Sequence, residues 1–261
     1  GRCGVTDSGR DPQYDSCKIY SAFKRMRGLI MSLSRVVYRD TERFAAIVPR
    51  SDNVKTGDMQ QLYILPSVNP IQAIQLGLDR SVCGDCPLSS KAAGGTGACY
   101  VVTAQGPTAL WKAVHDKPVV PATESTKPIR LGAYGDPAFL PLRLVRKLVN
   151  GRRHTGYTHQ WHKLRRDWSP LLMASIDPTM AKRQGLTSIQ LKHKAQAKGY
   201  RTFRVLAEGE TLDSDEIYCP FVTRGVQCAD CGLCNGAEPH DRRKCIVVPA
   251  HGGAKNLLEI A

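Results

Sequence analysis

Seven of the ten cysteines fall in two compact groups, and thiols grouped in this way are suited to metal binding. The C-terminal group, Cys219-x8-Cys228-x2-Cys231-x2-Cys234, places four thiols within sixteen residues. Three cysteines spaced three apart can point at one centre, with a more distant cysteine closing the set, as in a cubane iron–sulfur cluster. Zinc also accepts four thiolates, although usually from two separate C-x2-C pairs, and disulfides are a third alternative. The spacing favours iron–sulfur but does not fix the metal.

The upstream group has the spacing Cys83-x2-Cys86-x12-Cys99 and offers only three thiolates. A structural zinc site would need a fourth ligand, yet no histidine lies inside this loop, and His115 is the nearest one downstream. An iron–sulfur cluster held by three thiolates instead leaves one iron open for a ligand or substrate, which is what catalysis requires. The sequence therefore predicts a second metal centre with an open position.

The charge balance indicates a polyanionic partner. The chain carries 37 Lys and Arg against 23 Asp and Glu, a formal net charge of +14. The cations crowd between positions 152 and 204, with Trp161, Trp168 and Tyr200 among them, so we expect phosphate contacts and base stacking by the two tryptophans. An ordinary solvated surface is the alternative. The residues predicted to contact nucleic acid are Arg152, Arg153, Lys163, Arg165 and Arg166.

The elements that must position these residues alternate between strand and helix. The predicted helices begin near Asn69-Pro70, Thr108, Phe139 and Pro178, the last running on towards Lys198. The predicted strands are 35–38, 44–48, 62–65, 129–134, a segment around 157–159, 171–176, 201–206 and 246–248. This rhythm predicts a parallel sheet, open or closed into a barrel.

Polar residues recur where the predicted strands stop, and the carboxyl ends of parallel strands are where active sites of such folds lie. Any one of them also has an ordinary structural explanation: Asp136 before a proline is a common turn residue, and a histidine is commonly hydrogen-bonded within the fold. The residues at these ends are Asp136, Thr158, His159, Asp177 and His251.

The order of these motifs resembles that of the radical S-adenosylmethionine enzymes. The similarity lies in three cysteines with an aromatic after the last, Gly135-Asp136-Pro137 after the next strand, and Ala174-Ser-Ile-Asp177 at the end of a later one. The family's pattern is C-x3-C-x2-C with a glutamate at the second motif, so the loop spacing and Asp136 both depart from it. The chain is also similar to small, cysteine-rich, phage-borne proteins of unassigned role.

The resemblance implies a partial (β/α) barrel and roles for particular residues. Cys83, Cys86 and Cys99 would hold a [4Fe-4S] cluster, and Gly135 with Asp136 would meet the methionyl amino group of S-adenosylmethionine. The downstream four cysteines would hold an auxiliary cluster. The remaining candidates for this site are Tyr100 and Pro137 at the cofactor and His159 and Asp177 in catalysis.

We therefore expect an α/β protein, a partial or complete parallel (β/α) barrel with a cysteine-rich C-terminal metal-binding segment. The expected organisation is an N-terminal extension (1–60), a barrel core (61–215), and an auxiliary cluster with the final strand (216–261). The expected function is a radical enzyme that modifies nucleic acid or a nucleotide and needs a reducing electron donor. The alternatives are a zinc-stabilised nucleic-acid-binding protein and a base-exchange transferase with structural zinc and Asp136 or Asp177 as nucleophile.

Localisation follows from what the sequence lacks. It contains no apolar run of membrane-spanning length and no signal peptide, and its cysteines are too dilute for a secreted disulfide scaffold. We expect a cytoplasmic protein with no membrane partner, and the sequence predicts no oligomeric state.

Overall fold

A single mixed α/β sheet organises the protein. A computed structural model of the chain describes residues 30–50 and 52–250, and His251 lies outside these ranges. The sheet order in this part is β1-β2-β3-β4-β5-β6-β7-β9-β8. Its nine strands are β1 (Arg35–Arg39), β2 (Arg43–Val48), β3 (Gln60–Pro66), β4 (Ile129–Tyr134), β5 (His154–Thr158), β6 (Met173–Ile176), β7 (Thr202–Leu206), β8 (Glu216–Tyr218) and β9 (Cys245–Pro249).

From β3 onwards every pairing is parallel, as the alternation of strands and helices predicted. Successive strands from β3 to β7 are also neighbours, so right-handed crossovers place the connecting helices on one face of the sheet. The helices in the described residues are α1 (Pro70–Leu76), α2 (Arg80–Cys83), α3 (Gly106–Val114), α4 (Leu142–Val149), α5 (Pro178–Arg183), α6 (Ser188–Ala197), α7 (Pro220–Arg224) and α8 (Cys228–Cys231).

The two faces of the β5–β9 half of the sheet have different cores. On the helix-covered face, Leu191 and Ala195 of α6 join the main hydrophobic core with Ala174 and Ile176 of β6. On the opposite face, which we call the open face, a smaller apolar cluster surrounds two cysteines of the C-terminal group. Its members on the strands are Tyr157, Met173, Phe203, Val205, Ile217, Ile246 and Val248. The C-terminal cysteine segment therefore covers a face that no crossover helix occupies.

Three features differ from the expected pattern. The strands β1, β2 and β3 pair antiparallel, because the turns between them are too short for a crossover helix. The helix expected from Pro178 towards Lys198 is interrupted: Gly185 takes φ +65, and Thr187 starts α6 with a capping box. Finally, β8 is a three-residue edge strand that the sequence did not indicate.

The three predicted segments, 1–60, 61–215 and 216–261, contribute strands to the same sheet in the part of the chain that the structure describes. Residues 35–48, within the predicted N-terminal extension, supply β1 and β2, and β9 of the predicted auxiliary segment lies between β7 and β8. Among the described residues, no helix combines the length and apolar character needed to cross a membrane.

Candidate metal centres

The first cysteine group forms a loop beside the carboxyl ends of β3 and β4. Cys83 is the last residue of α2, and the Cys86 N–H donates to the Cys83 carbonyl at 3.1 Å. The Asp136 N–H donates to the Val82 carbonyl at 2.7 Å, which ties the loop to the residues that follow β4. The loop therefore lies at the carboxyl ends of the parallel strands, a side of the sheet that we call the carboxyl edge.

Two internal features fix the shape of this loop. Gly84 has φ +61, and a Cβ atom there would come within 2.7 Å of the Gln160 side chain, so the close approach requires glycine. Gln160 Nε2 in turn donates to the Cys83 carbonyl at 3.1 Å. The buried Asp79 carboxylate accepts hydrogen bonds from Ser90 N–H at 3.0 Å and Ser90 Oγ at 2.7 Å, which joins the two sides of the loop.

The three thiols of this first centre lie within electrostatic reach of one another. Burial raises the pKa of Cys83 well above its ordinary value, and the charges of Cys86 and Cys99 raise it further. Burial also raises the pKa of Cys99, partly offset by a main-chain hydrogen bond and by the positive charge of His159. Burial therefore disfavours the thiolate forms of Cys83 and Cys99, and a bound cation that replaced their protons would offset this cost.

His159 reaches this centre from the end of β5. Burial would lower the pKa of His159, but the Cys86 thiolate charge, a side-chain contact with Asp177 and a hydrogen bond to Cys86 together raise it well above its ordinary value. His159 Nε2 lies 3.5 Å from Asp177 Oδ2, which is an ion-pair distance and not a hydrogen bond. Cysteine, imidazole and carboxylate thus come together from three different strand ends.

Asp136 holds these strand ends in place. Its Oδ1 accepts from Ala138 N–H at 3.0 Å, and its Oδ2 accepts from Thr158 Oγ1 at 3.0 Å and from His159 N–H at 2.9 Å. Burial raises the pKa of Asp136, although these hydrogen bonds and the charge of His159 act in the opposite direction. The carboxylate therefore fixes the main chain of His159 while retaining one free acceptor position.

The other predicted site residues surround the same edge. Gly135 has φ +76, and a Cβ atom there would lie 2.4 Å from the Ile64 carbonyl oxygen, so β4 can turn beside β3 only with glycine. Pro137 is buried and begins a 3-10 turn, while Tyr100, next to Cys99, is 56% exposed. Asp177 is 1% exposed, and its Oδ1 accepts from Met180 N–H at 2.9 Å. Its Oδ2 has no hydrogen-bond partner among the described residues.

The second centre gathers four thiols over the open face. Cys219 directly follows β8, Cys228 and Cys231 are the first and last residues of α8, and Cys219 and Cys234 are buried. Burial raises the pKa of Cys234 to about 12; a hydrogen bond from Tyr157 lowers it, and the charges of the three other thiols raise it. All four thiols therefore share one electrostatic environment.

This second centre is attached to the amino-terminal side of the sheet. The Cys228 N–H donates to the carbonyl of Lys55, which precedes β3, at 3.0 Å, and the Ala237 N–H donates to the carbonyl of Ser169, which precedes β6, at 2.7 Å. Arg201 donates to two main-chain carbonyls of the loop after α8, at 2.6 and 3.1 Å. The first centre thus lies at the carboxyl ends of the strands, whereas the loops of the second centre are hydrogen-bonded to the residues before β3 and β6.

The donor sets suit a thiophilic metal by their chemistry. Throughout residues 30–50 and 52–250, no three His, Cys, Asp or Glu side chains converge closely enough to hold a single ion as they stand. Binding would therefore draw the side chains inward, from three thiols beside an imidazole at the first centre and from four thiols at the second. Cys245 is separate from both sets: it is buried at the start of β9, where its sulfur accepts a hydrogen bond from Thr202 N–H.

Several cations of the basic stretch are structural. Arg152 is buried and donates to Gln60 Oε1 at 2.7 Å and to the Lys127 carbonyl at 3.2 Å, so we leave it out of any nucleic-acid surface. The expectation that Trp161 and Trp168 stack on bases is wrong, since they are only 2% and 8% exposed. The other buried cations of the stretch are Lys192, Arg201 and Arg204, while Arg153 is exposed and donates to carbonyls of α8.

Exposed cations on α4 and around residues 163–166 have contacts with Asp167 and with the residues near His162, and we call this group, together with Lys198, the basic surface. Asp167 lies 3.9 Å from Arg146 and 3.8 Å from Arg165, and Lys198 Nζ donates to the His162 carbonyl at 2.5 Å. Lys163 pairs at 2.7 Å with Asp85, which lies inside the first cysteine loop. The basic surface consists of Arg143, Arg146, Lys147, Lys163, Arg165, Arg166 and Lys198.

Sequence reasoning missed some residues of both centres. The sequence indicated Tyr157 only as part of a strand, although a hydrogen bond from it lowers the pKa of the Cys234 thiol. Arg130, whose charge lowers the pKa of Cys228, was also missed, because alternation along a strand does not show what a side chain meets across the sheet. Asp79 could have been noticed as an acidic residue four positions before Cys83.

Comparison of the chain with protein-family models, curated proteins and solved structures finds no match.

Proposed function

We propose that this protein is an iron–sulfur enzyme of the radical S-adenosylmethionine type that reacts at the carboxyl edge of its sheet. The main support is the order of three motifs along that edge. The three-cysteine loop follows β3, Gly135–Pro137 follows β4, and Asp177 follows β6. These are the motifs that carry the family resemblance.

We also propose that the sheet is a partial (β/α) barrel. Sequential parallel strands with their crossover helices on one face are what a barrel wall requires. Within the described residues, β1 and β8 stand at the two ends of the pairing order, so we propose a partial barrel and not a complete one. The open face would then be the inner face, covered at one end by the second centre.

The residues of the carboxyl edge would bind and orient the reactants. When bound, a four-iron cluster with one iron free of protein thiolates supplies an electron to the sulfonium of S-adenosylmethionine. Cys83, Cys86 and Cys99 would hold that cluster. The free acceptor position of Asp136 and the unpartnered Oδ2 of Asp177 are available to an ammonium or a ribose hydroxyl. The auxiliary cluster would belong to the second centre.

The proposed substrate is a nucleic acid or a nucleotide. The basic surface runs from α4 to Lys163, whose partner Asp85 lies between two cysteines of the first centre. A phosphate backbone bound there would lie beside the carboxyl edge, and each neutralised phosphate would release counterions. The physiological reaction would also need a reducing electron donor.

Anaerobic reconstitution with iron and sulfide tests the proposal. The wild type should become brown, absorb broadly near ~400 nm and bleach on reduction, because thiolate-to-iron charge transfer gives that colour. Reduced protein should then cleave S-adenosylmethionine, Cys86→Ala should not, and Cys245→Ser, which changes a thiol outside both centres, should. Iron-loaded wild type that leaves S-adenosylmethionine intact, or a protein that takes up only zinc, would overturn the proposal.

A second candidate is a zinc-stabilised nucleic-acid-binding protein. The electrostatic interaction of His159 with Cys86 and Cys99 favours it, because three thiolates with one imidazole form a closed structural zinc set. This candidate predicts a colourless protein with stoichiometric zinc that binds nucleic acid and has no reaction with S-adenosylmethionine.

A further inference from the structure

A cavity beside the paired strands β2 and β3 is not used by the proposed function. Its volume is about 300 Å³, at the lower end of the range for small-molecule sites. Val48 of β2 pairs with Gln61 of β3, so these two side chains and that of Tyr63 lie on one face of the strands. Gln61 is the second residue of β3, whereas the first cysteine loop follows the carboxyl end of that strand. The cavity therefore lies away from the first centre.

Apolar and aromatic groups form one wall of this cavity. Met31 and the buried Val48 line it together with the half-buried ring of Tyr63. Gly106, the first residue of α3, also lines it, and a Cβ atom at this glycine would lie 3.3 Å from Tyr63 Oη. The start of α3 thus closely approaches the tyrosine. A tyrosine ring beside an apolar wall suits a planar aromatic group such as a nucleobase.

Gln61 brings an amide group to the same wall. Its side chain belongs to a residue that is only 4% exposed, and its Nε2 donates to the Met59 carbonyl at 3.3 Å, which orients the amide. Its Oε1 accepts no hydrogen bond from the residues that the structure describes. A glutamine amide offers a donor and an acceptor side by side, as the edge of a base requires.

Charged side chains continue the cavity towards solvent. Arg50 and Asp52 are exposed and line it, and Arg50 forms no ion pair with any other described residue. Arg50 also lines a second cavity of about 460 Å³ together with Lys127, so the two cavities adjoin. The Lys127 ammonium lies 2.5 Å from Asp58, whose side chain is 71% exposed, and such a surface ion pair is weak. Arg50 and Lys127 can therefore contact one phosphate group.

We propose that the two adjoining cavities bind a single nucleoside monophosphate. The base would lie against the Tyr63 ring with its edge at the Gln61 amide. The ribose hydroxyls would donate to Asp52, a common role for a carboxylate in nucleotide sites, and the phosphate would contact Arg50 and Lys127. This inference goes beyond the proposed function and does not depend on it, because none of these residues belongs to the carboxyl edge or to the basic surface.

The proposed nucleotide site is attached to the second centre. Residues 53–56 connect the lining of the first cavity to that of the second. Gln227, which also lines the second cavity, donates from Nε2 to the Val54 carbonyl at 2.7 Å, and the Cys228 N–H donates to the Lys55 carbonyl at 3.0 Å. A bound nucleotide should therefore hold this segment in place and slow tryptic cleavage after Lys55.

Isothermal titration calorimetry of the full-length protein tests the site without relying on activity. We expect at least one of the four ribonucleoside monophosphates to bind with a dissociation constant of about 1 mM or lower. The corresponding nucleoside and inorganic phosphate should each bind about 10-fold more weakly or less, because each fills only one part of the site.

Two variants separate the phosphate contact from the base contact. Arg50→Gln should weaken the nucleotide about 10-fold and leave the nucleoside unchanged, because a charge-assisted contact to phosphate is lost. Arg35→Gln is the matched control, since it removes an exposed arginine of β1 that lines neither cavity. Tyr63→Leu should weaken nucleotide and nucleoside alike by about 10-fold, because the stacking surface is lost. Thermal melting checks the fold of this variant, and the exposed Arg50 keeps the test decisive if Tyr63→Leu unfolds.

The outcomes distinguish this inference from the proposed function. Absence of binding by all four nucleotides at about 5 mM would refute the site. Inorganic phosphate that binds as tightly as the nucleotide would refute a nucleotide ligand. Binding that is lost in Arg165→Glu with Arg166→Glu but kept in Arg50→Gln would belong to the basic surface and would also refute the site. The assay needs neither iron nor S-adenosylmethionine, so failure of the radical enzyme leaves this inference unchanged, and failure of nucleotide binding leaves the enzyme unchanged.

Discussion

Lys192 is a fully buried ammonium group on α6, and it is the residue on which the charge network of the C-terminal half depends. It pairs with Asp213 at 2.7 Å and with Asp215, and it lies 3.9 Å from the buried Glu216. This cation belongs to the stretch whose composition predicted a polyanion surface. Its charge is instead neutralised inside the protein, where desolvation makes each partner important.

Replacing this buried ammonium should destabilise the protein. Lys192→Met removes the cation that Asp213 and Asp215 contact, while Glu216 keeps its two hydrogen bonds from Arg204. We expect a loss of about 2 kcal/mol in urea unfolding, less than for a wholly buried pair because Asp213 and Asp215 reach solvent. His193→Ala is the control, since His193 contacts the same Asp213 from an exposed position and should cost at most about 0.5 kcal/mol. Equal losses in the two variants would contradict this account.

The same network gives a pH dependence. The Lys192 ammonium holds the pKa of Asp213 well below its usual range. A carboxylate with a lowered folded-state pKa contributes stability above its unfolded pKa, about 3.9, and loses it as pH falls towards the folded value. The difference in unfolding free energy between wild type and Lys192→Met should therefore be full at pH 7 and shrink below about pH 4. A difference that grows on acidification would exclude this origin.

At the scale of elements, β8 depends on its neighbours because it is a short edge strand. In the part of the chain that the structure describes, it pairs only with β9, and the side chain of Glu216 on β8 reaches across β9 to Arg204 on β7. Arg204 donates to both carboxylate oxygens, at 2.9 and 2.7 Å, and both side chains have zero exposure. This fork-to-fork pair fixes the three strands in one register.

Breaking this pair should loosen the C-terminal edge of the sheet. Glu216→Gln removes the buried carboxylate and leaves only the partly exposed Glu210 to balance the charge of the Arg204 guanidinium, so we expect a loss of about 2–4 kcal/mol in unfolding free energy. Glu210→Gln is the matched control, because Glu210 contacts the same guanidinium at 3.1 Å but is partly exposed, and it should cost about 1 kcal/mol or less. Amide exchange should locate the opening in β8 and β9, and uniform loosening of the whole sheet would argue against this assignment.

The second centre joins elements that are far apart in sequence. Its segment bonds to Lys55 before β3 and contacts the open face through Cys219 and Cys234. Metal-loaded Cys231→Ser should therefore melt below wild type, since a closed metal site converts binding into folding free energy. Proteolysis after Lys55 should increase in the same variant. Cys99→Ser should leave that cleavage unchanged, and if it does not, the two centres are not independent.

The parallel half of the fold was predictable because its strands are apolar runs separated by helices, and α1, α5 and α6 begin with side-chain caps. Asn69 caps α1 before Pro70 as predicted, and Asp177 similarly caps α5. The antiparallel start was not predictable, since pairing direction depends on connections that carry no helix pattern. The two cysteine groups could be found from spacing alone, and metal binding by them stays a prediction. That His159 lies within electrostatic reach of Cys86 and Cys99 could not be predicted, because it follows from the pairing of strands distant in sequence.

At the scale of the whole molecule, the cations behind the net charge of +14 are divided between the interior and the surface. Lys192, Arg201 and Arg204 are buried inside the fold, whereas the cations of the basic surface are exposed and can contact a phosphate backbone near the first centre. With Trp161 and Trp168 buried, these two side chains are not expected to stack on bases. Any preference for nucleic acid then depends on phosphate contacts.

Charge reversal tests this surface directly. Arg165→Glu with Arg166→Glu should weaken binding to DNA or RNA and flatten the log–log salt slope by about 1 to 2, because each duplex phosphate contact contributes about −0.9. Arg224→Glu with Arg242→Glu changes the net charge equally at exposed positions near the second centre and should leave the slope nearly unchanged. Equal effects would mean that binding reflects net charge alone, and iron content should be unaltered in both.

The position of β9 has a consequence for synthesis on the ribosome. β9 is the last strand of the described chain, yet it lies between β7 and β8. As the polypeptide emerges, the residues of the first cysteine loop and its histidine are available long before β9, whereas β8 has no strand to pair with until residues 245–249 have left the exit tunnel. We therefore expect the first centre to be able to take up metal on a nascent chain, whereas the strands that support the second centre can pair only after residues 245–249 have emerged. A ribosome-bound chain stalled after α6 should already retain metal at the early site.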